Sequence, residues 1–416
     1  MAERVDIVIV GGGFAGCALA ANLARRGLDV LVLEKHAVHR DRVRGEFLTP
    51  WGVAEAQKLG LYDALLKAGA HHTTCTIPFG ESVSPDAARA RAIDLTSMID
   101  GVPGGLCMQH VVMCNTLDHV ARDAGATVIR PVERVEVVPG EEPEVRFVTD
   151  DEQRVVRCRV IVGADGRGST VARQTGIVSM KDPPHHIFSG LLVSGVEAWP
   201  EAEQVIGVEG DHVFYVFPQG GGMARLYLAH ERSTRFSGPD GAAAFLDAFK
   251  LRSVPDSDVL AHSKPAGPCH GYPNEDVWCD QPVAPGVVLI GDAAGHNDPS
   301  IGQGLAITLR DVRLVKKTLL DQWSGQRINF NDYVQERRER MRRLRFIARL
   351  NARIRAEFGD EARARRAQVA ERAAADPSLL QSFRGMFLGP DAPPPEAFDG
   401  GVWDRLGLTS VNGASG

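Results

Sequence analysis

Residues 5–16 read Val5-Asp-Ile-Val-Ile-Val-Gly11-Gly-Gly13-Phe-Ala-Gly16, and a second apolar run, Asp29-Val-Leu-Val-Leu33, ends in Glu34. An apolar strand that runs into Gly11-x-Gly13-x-x-Gly16, with a helix opening at Ala15, is the pattern of a dinucleotide-binding βαβ unit. Gly11 permits the tight turn, Gly13 lets a pyrophosphate approach the backbone, and Gly16 lets the helix pack close to the strand. The helix start at Phe14 and Ala15 carries unpaired N–H groups and a partial positive charge toward the phosphates. Glu34, 23 residues after Gly11 and followed by Lys35, stands where an acidic side chain binds both hydroxyls of an adenosine ribose. A carboxylate there disfavours a 2′-phosphate, so NADP is not expected at this position. The bland alternative is a purely structural βαβ unit.

The 416 residues are 44% hydrophobic and 24% charged, an ordinary globular composition with length for two or three packed units. A net charge of −6 argues against general nucleic-acid binding. No apolar run approaches the roughly 20 residues of a transmembrane helix. The first residues lead directly into a strand, so no signal peptide is expected and a cytoplasmic location follows. Seven cysteines without a Cys-x-x-Cys pair suggest reduced thiols. His71, His72 and Cys75 could be drawn as ligands but have no matching second cluster, so no metal is expected.

The pattern along the chain is α/β. A Rossmann-like domain is expected over 1–75, 101–184 and 281–330, with a small β-meander near 132–162. Residues 76–100 and 185–280 read as an inserted, mostly antiparallel β-sheet domain that holds substrate, with aromatic runs such as Val213-Phe-Tyr-Val-Phe217 and Arg225-Leu-Tyr-Leu228. C-terminal helices are expected over 331–390 and a loosely packed tail over 391–416. Nine arginines lie between Arg337 and Arg355, beside a stripe of Met341, Leu344, Ile347, Leu350 and Ile354. This predicts a docked amphipathic helix with a solvated basic face. The sharper alternative is a landing face for an acidic partner.

Two further motifs share the strand, Gly-Asp and turn design. One is Val160-Ile-Val-Gly163-Ala-Asp165-Gly166-Arg-Gly-Ser169. The other is Val287-Val-Leu-Ile-Gly291-Asp292-Ala-Ala-Gly-His296-Asn-Asp-Pro299-Ser-Ile-Gly302-Gln-Gly304. In this order and at these separations the three motifs resemble the FAD-dependent aromatic hydroxylases of the para-hydroxybenzoate hydroxylase type, over roughly residues 5–340. The resemblance implies non-covalent FAD, with Gly11, Gly13, Gly16 and Glu34 at its adenosine end. It implies Asp165 and Gly166 for FAD and NAD(P)H, and Gly291-Asp292 for the ribityl chain. Pro299 and the Gly302–Leu305 backbone, which includes Gly304, would lie beside the isoalloxazine. Arg44 matches a cofactor-contacting arginine, and Tyr333 with Arg337-Arg338 matches a Tyr-x-x-x-Arg-Arg pattern. At the position of a further family arginine stand Gln109 and His110, where cofactor contact and a satisfied interfacial histidine are both open.

The expected reaction is NAD(P)H- and O2-dependent hydroxylation or epoxidation of an aromatic or polyketide substrate through a flavin C4a-hydroperoxide. NADH or NADPH would bind transiently, because no second glycine fingerprint opens a helix. His296 is the candidate catalytic group. His212, Tyr215 and Tyr227 are candidates by sheet parity. Gly295-His296 and Arg44-Gly45-Glu46 lean toward the halogenase and isoprenoid-reductase branches, although the halogenase Gly-Trp-x-Trp-x-Ile-Pro segment is missing. A flavin redox sensor is the non-enzymatic alternative.

Overall fold

The computed structural model describes residues 3–43 and 45–408. Ile7–Val10, Val30–Leu33 and Val160–Gly163 are apolar without alternation and buried on both faces, as central parallel strands must be. They form a six-stranded sheet in the spatial order Val283–Ala284, Val287–Leu289, Val160–Gly163, Ile7–Val10, Val30–Leu33, Thr127–Ile129. Its first strand alone is antiparallel. Ile7 lies opposite both Val30 and Val160, and Ile161 opposite Val287. Parallel strands in this register end at one edge, so the turns at Gly11, Ala164 and Gly291 converge there.

Two glycines set how closely these turns pack. A Cβ on Gly11 (φ +109°) would sit 2.3 Å from the Ala164 carbonyl oxygen, and one on Gly16 only 1.9 Å from the Gly11 oxygen. The helix Phe14–Ala24 can therefore lie on its strand only with glycine at both places.

The expected meander is a four-stranded sheet of Glu3–Arg4, Glu152–Arg157, Glu144–Thr149 and Arg134–Val138. The larger sheet runs Lys264–Pro265, Ile187–Ser194, Met223–His230, His212–Gly220, Glu203–Glu209, Cys75–Ile77, Ile93–Asp94. Its period of two is sharp. Phe214 and Val216 pack with Phe245 of the helix Gly241–Asp247, whereas Val213, Tyr215, Phe217 and Tyr227 form a cluster on the opposite face.

The helix Asn331–Arg355 spans roughly 37 Å and differs from the solvated basic helix that the sequence predicts. Arg337 and Arg340 are each 1% exposed. Arg337 donates to the carbonyls of Ala294 (2.8 Å) and Gly295 (3.0 Å), and Tyr333 donates to that of Leu289 (2.7 Å). Asp311, wholly buried on the helix Gly304–Gln322, joins these parts. It accepts from Gly291 N–H (2.8 Å), Arg337 Nε (3.1 Å) and Arg340 Nη2 (2.7 Å). Arg342, Arg343, Arg349 and Arg353 pair with Glu339, Asp182 and Glu357. With most of its arginines bound to the chain's own carboxylates, the helix loses the reason for expecting an acidic partner there.

The loose tail is likewise corrected over 391–408. Ala397, Phe398, Val402, Leu406 and Leu408 are buried against the C-terminal helices. The rest of the expected tail, 409–416, lies outside the described residues. No described helix is long and apolar enough to cross a membrane.

Removing one charge from a buried ion cluster leaves its partners uncompensated, at about 3–5 kcal/mol. Asp311→Asn is therefore expected to lower unfolding stability by that order and to shed cofactor. Chemical denaturation measures it; a midpoint equal to that of the wild type contradicts the role given to Asp311.

Candidate active site

A cavity of about 770 Å³ begins at the edge where the three turns converge. Gly11, Gly13, Phe14, Ala15, Glu34 and Lys35 line one end, and Asp165 and Gly166 its middle. Asp292, His296, Pro299, Gly302, Gly304 and Leu305 line the inner part. Three expected contacts lie off this wall. Gly16 faces its own strand, and Gly291 is held by Asp311. The Gln109 amide turns to Met223 Sδ (3.7 Å), while His110 takes the wall position, with Nδ1 3.2 Å from the Gly45 oxygen. Arg44 lies outside the described residues.

The electrostatics of the cleft suit an elongated anion. The helix Phe14–Ala24 starts at Gly13 without a side-chain cap or an acidic residue in its first turn. The helix Gly304–Gln322 starts in the same way at Gln303. Two uncompensated positive helix ends thus face one cleft. A Cβ on Gly13, Gly166, Gly168 or Gly304 would meet no atom within 4 Å, so these positions border an open groove. Glu34 is fixed at the end of the groove by accepting from Gly12 N–H (2.7 Å) and His36 N–H (2.9 Å). Asp165 is committed differently. Its carboxylate accepts from Ser169 Oγ (2.5 Å) and Thr170 N–H (2.6 Å), capping the next helix. Asp292 lies 3.4 Å from Arg167 Nε.

The inner end opens on the large sheet. Phe47, Phe188, Tyr215, Phe217, Tyr227 and Tyr272 line it. Phe47 stacks on Phe217 (centroids 5.2 Å apart) and Phe188 meets Tyr227 (4.8 Å). Gly190 makes this possible, because a Cβ there would lie 2.5 Å from the Tyr227 ring. His212, paired with the two tyrosines by sequence parity, does not line the cavity. It is an odd number of residues from Tyr215, so a regular strand turns it to the other face.

Two groups absent from the sequence-based candidates belong to the chamber, Glu46 on its wall and Arg225 behind Glu46. Glu46 is 2% exposed, lines the cavity and accepts from the Tyr227 hydroxyl. Burial raises its carboxyl above the usual range, and Arg225, 3.1 Å away, opposes that. Arg225 is itself buried and bound to Asp41 (2.6 Å). Burial also raises the Tyr215 and Tyr227 phenols, keeping both neutral. Arg225 carried one signal in the sequence, as the single charge inside an apolar strand.

Behind Pro299 lies a buried polar network. Asp298 accepts from Ser300 N–H (2.9 Å) and lies 3.4 Å from His186 Nε2. Asp276 accepts from Asp298 N–H (2.8 Å) and Asn297 Nδ2 (3.1 Å). The two acids are pushed in opposite directions. Burial and the Asp298 charge push Asp276 up to about 7, whereas His186 and Ser300 hold Asp298 down.

The sequence profile of the FAD binding domain family matches residues 4–345. The chain belongs to this family. Digeranylgeranylglycerophospholipid reductase of Methanosarcina mazei is 27% identical over 316 residues, covering 73% of this chain and 72% of the relative. Menaquinone reductase of Mycolicibacterium smegmatis is 27% identical over 345 residues, 77% of each chain. The solved p-nitrophenol 4-monooxygenase of Pseudomonas putida superposes with a TM-score of 0.74 over 97% of this chain and 98% of that one, at 17% identity. The fold is thus the one expected from the three motifs, and the protein is an FAD-dependent oxidoreductase. FAD fits the cleft: uncapped helix ends suit its pyrophosphate, glycines border the groove, and the buried carboxylate of Glu34 stands at the adenosine end.

Asp276 generates a pH dependence. Its folded pKa of about 7 exceeds the unfolded value of roughly 3.9. Between these values the native state holds a proton that the unfolded chain has lost, so stability falls as pH rises through the window. Asp276→Asn is expected to flatten this part of the melting-temperature profile and to raise stability on its alkaline side. Parallel profiles for variant and wild type contradict it.

Proposed function

We propose that the protein is a monooxygenase that uses NADPH or NADH and O2 to hydroxylate an aromatic small molecule. The supporting observation is the chamber of six aromatic side chains opening directly on the Pro299–Gly304 turn. A planar apolar ring fills such a chamber by stacking and excludes water. Epoxidation of a double bond is the variant of the same chemistry.

In this reading Glu34 binds the adenosine ribose. The Gly11–Gly13 turn and the helix start at Phe14 and Ala15 bind the pyrophosphate, with Lys35 nearby. Asp292 accepts a ribityl hydroxyl, and Pro299, Gly302, Gly304 and Leu305 bed the ring. Bound FAD supplies the redox chemistry, carrying reducing equivalents from NAD(P)H to oxygen. The remaining work belongs to the chain. The aromatic walls orient the substrate and keep water out. Tyr227 and Glu46 offer a hydrogen-bonded pair to a substrate hydroxyl. His296, 7% exposed on the wall beside the turn, is placed to hold or pass a proton. NAD(P)H docks transiently in this reading, since the chain has a single glycine fingerprint and FAD uses it.

One observation favours a second reading. The two sequence relatives named above are reductases, so reduction of an isoprenoid double bond is the alternative. Turnover under isotopically labelled O2 separates the two. Label in the product, with one NAD(P)H used per product, supports the monooxygenase; a saturated double bond without label overturns it.

Cofactor retention gives a further check. A carboxylate that accepts from a ribityl hydroxyl contributes about 1.5–3 kcal/mol, or roughly one to two decades of affinity. Asp292→Ala is expected to weaken FAD binding by that factor and His296→Ala far less. Titration of apoprotein reads both; equal constants for Asp292→Ala and wild type contradict the assignment.

A further inference from the structure

Arg355 closes the helix Asn331–Arg355 and lines the chamber together with Asn351, one turn earlier. Asn351 is pinned to the cofactor turn, its Nδ2 donating to Ser300 Oγ at 3.1 Å. Arg355 therefore stands four residues, about 6 Å of helix rise, beyond the residue that meets that turn. Its surroundings are aromatic. The guanidinium lies 6.0 Å from the Phe383 ring and shares the chamber wall with the neutral Tyr215 phenol. Among the described residues no carboxylate lies within salt-bridge distance of it, whereas six other arginines of the same helix have one.

Glu46 and Arg355, both on the chamber wall, are thus unequal. Glu46 is met by Arg225, which is tied in turn to Asp41. Arg355, half-buried in the chamber wall, stays without a paired carboxylate among the described residues, and burial lowers its pKa. Such a charge is costly unless a ligand supplies the counter-charge. The FAD pyrophosphate does not serve, because its cradle lies at Gly13 and Phe14, at the far end of the cleft, where Lys35, Arg42 and Arg134 line the wall.

We propose that Arg355 is the specificity residue of the chamber and that the substrate is an aromatic compound carrying an oxyanion, a carboxylate or an enolate, which Arg355 binds. This rests on the chamber being the substrate site, as in the proposed function. An arginine fork matches a carboxylate in two parallel hydrogen bonds, and the aromatic walls strengthen the pair by excluding water. The hydrogen-bonded Tyr227–Glu46 pair is left for a hydroxyl elsewhere on the ring.

The test uses FAD-loaded wild type, Arg355→Met and Arg355→Lys without reductant. Hydroxybenzoates, hydroxynaphthoates and the primary amide of each are titrated against the flavin absorbance spectrum. Wild type is expected to bind at least one carboxylate about tenfold or more tighter than its amide. Arg355→Met should erase that preference and leave amide affinity unchanged, and Arg355→Lys should retain part of it. Since no ion pair is lost, Arg355→Met should melt at or above the wild-type temperature. The proposal is overturned if no carboxylate outbinds its amide, if Arg355→Met keeps the preference, or if Arg355→Met melts well below wild type. It is also overturned if Arg355→Met weakens NADP+ binding while the carboxylate preference persists, which would assign the arginine to the nicotinamide dinucleotide. Binding needs neither NAD(P)H nor oxygen, so its outcome is independent of whether labelled oxygen enters a product.

Discussion

The buried carboxylate of Asp311 holds the site in place. It accepts from the backbone of Gly291, where the cofactor turn leaves its strand, and from both Arg337 and Arg340. A lone carboxylate with no exposure would be prohibitively costly, and so would two lone guanidinium groups; together, and with Glu336 paired to Arg340, their charges balance. The cluster locks three segments far apart in sequence: the Gly291–Gly295 turn, the helix that begins at Gly304 and the helix that begins at Asn331. The last of these runs on to the chamber, so one rigid element joins the back of the cofactor turn to Asn351 and Arg355.

The two ends of the cavity are built by different physics. At the cleft end backbone geometry dominates: glycines that admit no Cβ, uncapped helix starts and one fixed carboxylate. At the chamber end side-chain area dominates. Period-two alternation puts Tyr215, Phe217 and Tyr227 on one face of a twisted sheet, and Gly190 yields the space for Tyr227. A cleft organised by backbone suits a ligand that differs little across a family. A chamber organised by side chains is free to vary with the substrate.

The cleft is legible in the sequence because glycines at this spacing, between an apolar strand and a helix, answer to a narrow set of backbone geometries. The run at Gly11, the acid at Glu34 and the turn at Pro299 all face the cavity. Much of the rest depends on tertiary partners. The stripe read as Met341, Leu344 and Ile347 continues at helical spacing to Arg337 and Arg340, which share its burial. Charge on a stripe reads as solvent exposure until Asp311 is placed opposite. Asp165 lines the cavity, and its bonds to Ser169 and Thr170 depend on where the next helix starts. The closing segment reads as tail because its prolines obscure the spacing of Phe398, Val402 and Leu406. Gln109 and His110 stand one residue apart in register, which a sequence without a counterpart arginine does not resolve.

The central claim is that one continuous cavity holds FAD along the glycine turns and substrate against the aromatic sheet face. An experimental structure of the FAD-loaded protein tests it most directly. The account predicts adenosine at Glu34, the isoalloxazine beside Pro299–Gly304, and one ring face open to Tyr215, Phe217 and Tyr227. An isoalloxazine bound elsewhere, or walled off from these three side chains, would contradict it.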